Sequence, residues 1–154
     1  MTVPTDLAYL PASEALRRFR DRSLSPVELM NAVIARAEAV ESKVNALAER
    51  TFDEALTAAR EAEARYAGKG EPPRPLEGLS VATKEEQPIA GRLATDGSLA
   101  FAHEVADETH PVIERVLAAG GIVHARTTTP EFSCAAVTQS RLWGVTRNPW
   151  NLQY

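Results

Sequence analysis

The chain has 154 residues, 44% of them hydrophobic and 25% charged, values ordinary for one globular domain. A formal net charge of −4 offers no basic surface for a nucleic-acid backbone, and no apolar run is long enough to cross a membrane. The lone Cys134 cannot close an internal disulfide, and the first six residues lack the basic and apolar regions of a signal peptide, so a cytoplasmic, reducing setting is expected.

The first 67 residues read as helical. Leu16 and Phe19 share one face of a helix over residues 13–22. Ser25-Pro26-Val27-Glu28 places a capping serine, a proline at the first helical position and a glutamate three residues after the cap, so a second helix starts there. Leu29, Val33, Ala37, Val40 and Val44 give it one apolar stripe. Thr51-Phe52-Asp53-Glu54 repeats the capping pattern and opens a third helix, with Phe52, Leu56, Ala59 and Tyr66 inward and Glu61 paired with Arg65 outward, ending near Gly68.

Residues 68–75, rich in glycine and proline, form a connector. Lys69 lies between glycines there, but the spacing of a phosphate loop is missing. Residues 76–154 read as a mixed region. Leu79, Val81 and Thr83 alternate with Ser80, Ala82 and Lys84, a short strand that delivers Lys84 at its end. Thr109-His110-Pro111 starts a helix with Val112, Val116 and Leu117 as its apolar face, Gly120-Gly121 stops it, and residues 122–125 form a buried strand. Strand, helix, strand in this order predicts a crossover unit, hence an α/β fold with helices covering a sheet.

The histidines offer no metal motif, since His103, His110 and His124 have no cysteine or carboxylate at ligand spacing; no metal or cofactor is expected. His110 suits a helix entry and His124 a strand interior. Cys134 lacks a base partner in the local sequence, and no Gly-x-Ser-x-Gly elbow is present. Lys84 differs, because an ammonium at the end of an apolar strand is hard to keep hydrated; it either reaches solvent, pairs with Glu85 or Glu86, or is a base.

The stretch Leu76-Glu77-Gly78-Leu79-Ser80-Val81-Ala82-Thr83-Lys84-Glu85 resembles the segment that carries the catalytic lysine of the amidase signature family. Ser80 stands where the family commonly has proline, and Glu85 where it has aspartate. Further blocks match in order: residues 95–98, Ala118-Ala119-Gly120-Gly121, residues 127–132, and Gly144 with Thr146-Arg147-Asn148-Pro149-Trp150-Asn151. Ser25-Pro26, Glu28-Leu29 and Asn45-Ala46 resemble the family's leading helices. The resemblance implies N-terminal helices followed by part of a mixed sheet flanked by helices. It also implies that the last block leads into a Gly/Ser-rich segment carrying a cis-serine and the acylated serine. Both serines then fall beyond Tyr154, so the chain is expected to be an N-terminal portion, inactive by itself, whose partner is the remainder of the same domain.

Amide hydrolysis through such a site runs in two stages, acylation of a serine and attack of water on the ester. The resemblance assigns Lys84 as the neutral base that takes a proton through the cis-serine. A free lysine has a pKa of about 10.4, so neutrality near pH 7 needs roughly 3–5 kcal/mol of differential desolvation and hydrogen bonding. The strand end is expected to be dry, with Glu85 facing away from Lys84. The resemblance also places Ser133 and Cys134 against the acyl group, unless Thr129 and Pro130 simply begin a packed helix; Trp143 and Trp150 read as scaffold. The implied substrate is a small or aryl/alkyl carboxamide, and the sequence does not say which. The alternatives are the amide-transferring subunit of a tRNA-dependent amidotransferase and an inactive interaction fragment. A homodimer is left open.

Overall fold

The computed structural model describes residues 5–153. A short 3-10 turn, Thr5–Tyr9, precedes helices α1 (Ala12–Arg20) and α2 (Pro26–Val44), strand β1 (Leu47–Arg50) and helix α3 (Phe52–Tyr66). Strand β2 (Ser80–Lys84), helix α4 (Pro111–Ala118) and strand β3 (Ile122–Thr127) follow, then two short strands, β4 (Gln139–Ser140) and β5 (Gly144–Val145). The chain divides into two compact units. One is built from Met1–Ala39, Thr51–Val81 and Arg115–His124, the other from Val40–Arg50, Ala82–Glu114 and Ala125–Tyr154.

The first unit is the helical one. Helix α1 buries Ala15 and Phe19 and leaves Arg17 to pair with Glu14 and Asp21 in water, where such pairs contribute little. Helix α2 starts where expected: the Ser25 hydroxyl accepts from the Val27 amide (2.9 Å) and Glu28 accepts from the Ser25 amide (2.9 Å). Its buried face is wider than one stripe. Leu29 packs with Ala15, Phe19, Leu24 and Leu79, whereas Met30 and Ile34 pack with Ala55, Ala59 and Ile122.

Helix α3 begins after Thr51, but the Thr51 hydroxyl donates to the Val123 carbonyl (3.0 Å) and not to its own helix, because a strand carbonyl lies within reach. The row it buries is Ala55, Ala59 and Ala62, with Phe52 and Leu56 half-buried. Arg65 turns to Glu77 (3.9 Å), away from the expected Glu61. Beyond the connector, the Leu76 amide donates to the Ala119 carbonyl and the Gly78 amide to that of Gly120. Gly120 has φ +95°, and a Cβ there would lie 2.8 Å from the Glu77 Cα, so both backbone angle and contact require glycine.

The second unit holds the C-terminal ends of β2 and β3. The sheet order is β1-β3-β2. β1 is antiparallel to β3 with a register shift between Leu47 and Glu49. Ile122 donates to Leu79 and Glu85 donates to Thr127, so β2 and β3 advance together in parallel, as the crossover predicts. The α/β expectation thus holds, with a mixed sheet. Strand β1 was not expected: four residues without alternation become a strand only through pairing with β3. The apolar face expected of α4 is also corrected, since Val112 is 53% and Leu117 38% exposed while Ile113 is the buried residue.

Candidate active site

Lys84 is the last residue of β2. Its Nζ donates to the Ser133 hydroxyl (2.7 Å) and forms an ion pair with Glu86 (3.2 Å). The Ser133 hydroxyl donates to Glu86 and lies 3.0 Å from the Thr129 hydroxyl. Three polar side chains, two from the end of β2 and its following turn and one from the segment after β3, therefore meet at one serine oxygen. The expected dry strand end is not seen: the Lys84 side chain is 38% exposed and charge-paired.

Ser133 reaches this position through unusual backbone. The helix expected after Pro130 does not form; a three-residue 3-10 turn, Glu131–Ser133, takes its place, with Phe132 at φ 52° and Ser133 at φ 53°. Left-handed geometry at two successive residues with side chains is costly and persists only where surroundings impose it. Here the Phe132 amide donates to the Asp96 carbonyl (2.8 Å), the Ser133 amide donates to that of Pro130 (2.9 Å), and Ser98 donates to Glu131 (2.6 Å). Gly97 makes room, because a Cβ there would sit 2.8 Å from the Thr129 carbonyl oxygen. Cys134 is exposed and its thiol donates to the Phe132 carbonyl (3.4 Å). The geometry thus joins Lys84 to Ser133 and leaves Cys134 beside them. An open depression of about 410 Å³ adjoins this segment, lined by Glu131, Ala135, Val137, Gln139, Ser140 and Arg141.

Arg126, which sequence reasoning missed, and Glu85, expected only to face away from Lys84, hold the lysine's turn. Arg126 in β3 is 1% exposed, and its guanidinium donates to the carbonyls of Leu93 (2.5 Å), Glu85 (2.5 Å) and Gln87 (3.2 Å) while pairing with Glu49 (3.3 Å). A charge directly after Ala125 at the end of a buried strand was the signal available. Glu85 is also 1% exposed; it turns away from Lys84 and accepts from the Thr95 amide (2.5 Å). The hydrogen bond from Ser133, with help from Lys84, holds the Glu86 carboxyl below its ordinary range. Burial, with Glu85 and Glu86 nearby, pushes Asp96 up.

The histidines take structural places. His110 Nδ1 accepts from the Val112 amide (3.2 Å) at the entry to α4, and buried His124 stacks on Phe52 with its imidazole pKa lowered by desolvation. Among the described residues no three His, Cys, Asp or Glu side chains gather as a metal site would require. Nor, among them, is any helix long and apolar enough to cross a membrane. Trp150, expected as scaffold, is 94% exposed.

Residues 28–154 match the Amidase family profile. The chain belongs to the amidase family. It is 33% identical over 148 residues to a glutamyl-tRNA(Gln) amidotransferase subunit of Carboxydothermus hydrogenoformans, covering 96% of this chain and 30% of that protein. It is 32% identical over 147 residues to an acylamidase of Rhodococcus erythropolis, covering 96% of this chain and 31% of that one. Fatty acid amide hydrolase superposes with a TM-score of 0.88 at 24% identity, over 99% of this chain and 27% of the other, which shows the shared fold. This amidase chain therefore spans about 30% of the length of the curated relatives it matches.

Proposed function

We propose that the protein hydrolyses a small carboxylic acid amide to acid and ammonia or amine through a serine acyl-enzyme, with Lys84 as general base. The observation that carries this reading is the Lys84 Nζ at the end of β2, 2.7 Å from a serine hydroxyl. In this reading the cis-serine and the acylated serine belong to the Gly/Ser-rich segment that follows Asn151 in the family pattern, and the remainder of the domain supplies them. Lys84 takes the relayed proton during acylation and returns it to the leaving amine. Ser133 and Cys134 border the acyl group, and the small Ala135 on the adjoining depression leaves space for it. The free, exposed Cys134 thiol supports a reducing, cytoplasmic setting.

In the whole protein, Lys84→Ala is expected to lower turnover of simple aryl and alkyl amides by at least about 10²–10⁴-fold with the fold intact. Lys84→Arg fails equally, because a guanidinium is not deprotonated at working pH. Near-normal turnover by Lys84→Arg would show that the lysine serves only structure or charge. The identity to an amidotransferase component supports a second reading, in which the amide is glutamine and the ammonia passes to partner proteins. Glutaminase activity that appears only with such partners separates it from the first.

A further inference from the structure

We infer that Arg141 determines substrate choice by holding the carboxylate of an amide whose acyl chain ends in an anionic group. The inference rests on the amide-hydrolase reading and names the substrate class of that same site. Arg141 falls between the blocks at residues 127–132 and 144–151 that carry the family resemblance, so no motif gives it a role.

The first support is the depression beside the turn that carries Ser133. Its volume of about 410 Å³ suits a small molecule, since such sites hold roughly 300–1,000 Å³. Glu131 and Ala135, which flank Ser133 along the chain, line it together with Val137, and Arg141 lines it from the turn of the β4–β5 hairpin. The lining thus combines small apolar side chains with a cation.

The second support is charge. Arg141 is exposed, and among the described residues its guanidinium has no ion pair and no hydrogen-bond acceptor. The other charged lining residue, Glu131, accepts from the Ser98 hydroxyl (2.6 Å) and belongs to the turn with Ser133. A carboxylate is repelled by Glu131 and attracted by Arg141, so the lining also orients the substrate, with its amide toward Ser133 and its acid toward the hairpin.

The third support is that the hairpin is held in place. Gln139 pairs with Val145 and Ser140 with Gly144, and the Ser140 hydroxyl accepts from the Trp143 amide (2.9 Å). The Asn45 side chain donates to the carbonyls of Trp143 (2.7 Å) and Val145 (3.2 Å), while the Thr146 hydroxyl donates to the Asn45 carbonyl (2.6 Å). A guanidinium presented by a fixed turn gives up less freedom on binding, and its planar fork matches a carboxylate with two parallel hydrogen bonds.

The test compares glutaramate with pentanamide, which has a methyl group in place of the carboxylate. In the whole protein glutaramate is expected to show the higher kcat/KM, and Arg141→Gln to lower the glutaramate-to-pentanamide ratio about tenfold, the low end for a hydrogen bond to a charged group because the site is open to water. The change falls on KM, since the carboxylate is remote from the reacting bond. Arg141→Lys, which keeps the charge without the fork, recovers part of the ratio. Glutarate binding, followed by calorimetry and needing no turnover, weakens by a similar factor in Arg141→Gln. A parent protein that prefers pentanamide, or a ratio unmoved in a folded Arg141→Gln protein, overturns the inference and leaves the hydrolase reading intact. Where neither amide is cleaved the hydrolase reading fails, and glutarate then decides alone: binding weakened by Arg141→Gln supports the anion site, and unchanged binding overturns it.

Discussion

The two units are built from different interiors. The first buries Phe19, Leu24, Leu29, Met30, Ile34 and Ile122 with a row of small alanines, a mainly apolar core with one buried carboxylate, Glu77, paired to Arg74. The second buries Glu41, Glu85, Thr95, Arg126, Thr128 and Thr129, and it carries most of the exposed large apolar side chains, among them Phe132, Val137, Val145 and Trp150. Apolar burial is non-directional and tolerates rearrangement, whereas a buried charge network stands only if each partner is in place. The difference teaches how each interior is specified: the first unit mainly fills space, and the second holds one turn and one serine in fixed geometry.

The sharpest break of this comparison is Arg126→Met. It leaves three backbone carbonyls without this donor and removes one of the arginine partners of Glu49, and a loss of about 3–5 kcal/mol is expected on thermal or urea unfolding. A loss below about 1 kcal/mol would mean that water substitutes for the guanidinium and that the polar interior is not a network.

The next largest effect is a pH dependence within the first unit. Burial lowers the His124 pKa below its ordinary 6.5, so the unfolded chain binds the proton more readily than the fold. The stability contributed by neutral His124 is thus fully present above about pH 6.5 and is lost as pH falls toward the folded value, at no more than about 1.4 kcal/mol per pH unit. His124→Gln should flatten that slope in melts taken between pH 7 and pH 5; an unchanged slope assigns the dependence to other groups.

Phe19→Leu tests the apolar side of the contrast. The first unit's core should repack at a cost under about 1.5 kcal/mol in a denaturant titration, and a loss as large as that of Arg126→Met would abolish the distinction. Smallest of all is Trp150→Ala, expected within about 0.5 kcal/mol of the parent in the same titration because the ring is 94% exposed. A larger loss would show that the indole packs on a surface in solution.

Legibility followed the same division. Capping residues and apolar spacing placed the start of α2 and the body of α3, and alternation placed β2 with Lys84 at its end. The Thr51 hydroxyl went to a strand 72 residues away in sequence, so the local capping pattern named the helix start but not the bond. Strand β1 carried no period of its own and exists through its partner. At the site, the place of Lys84 at the strand end was legible, Glu86 was one of the two carboxylates named as able to pair with it, and Ser133 was named through the family resemblance, but Arg126 was not, since it acts through groups distant along the chain.

By itself the sequence determined the main helices, the crossover, the family and the place of Lys84 at a strand end, because periodicity, caps and ordered motifs are local properties of the chain. Only the tertiary structure decided that Phe132 and Ser133 adopt left-handed backbone, that Glu85 turns inward to Thr95 while Glu86 pairs with Lys84, and that Arg126 fixes the turn between them. The physical reason is that hydrogen bonds and ion pairs depend on distance and angle between residues far apart in sequence, and folding alone sets those.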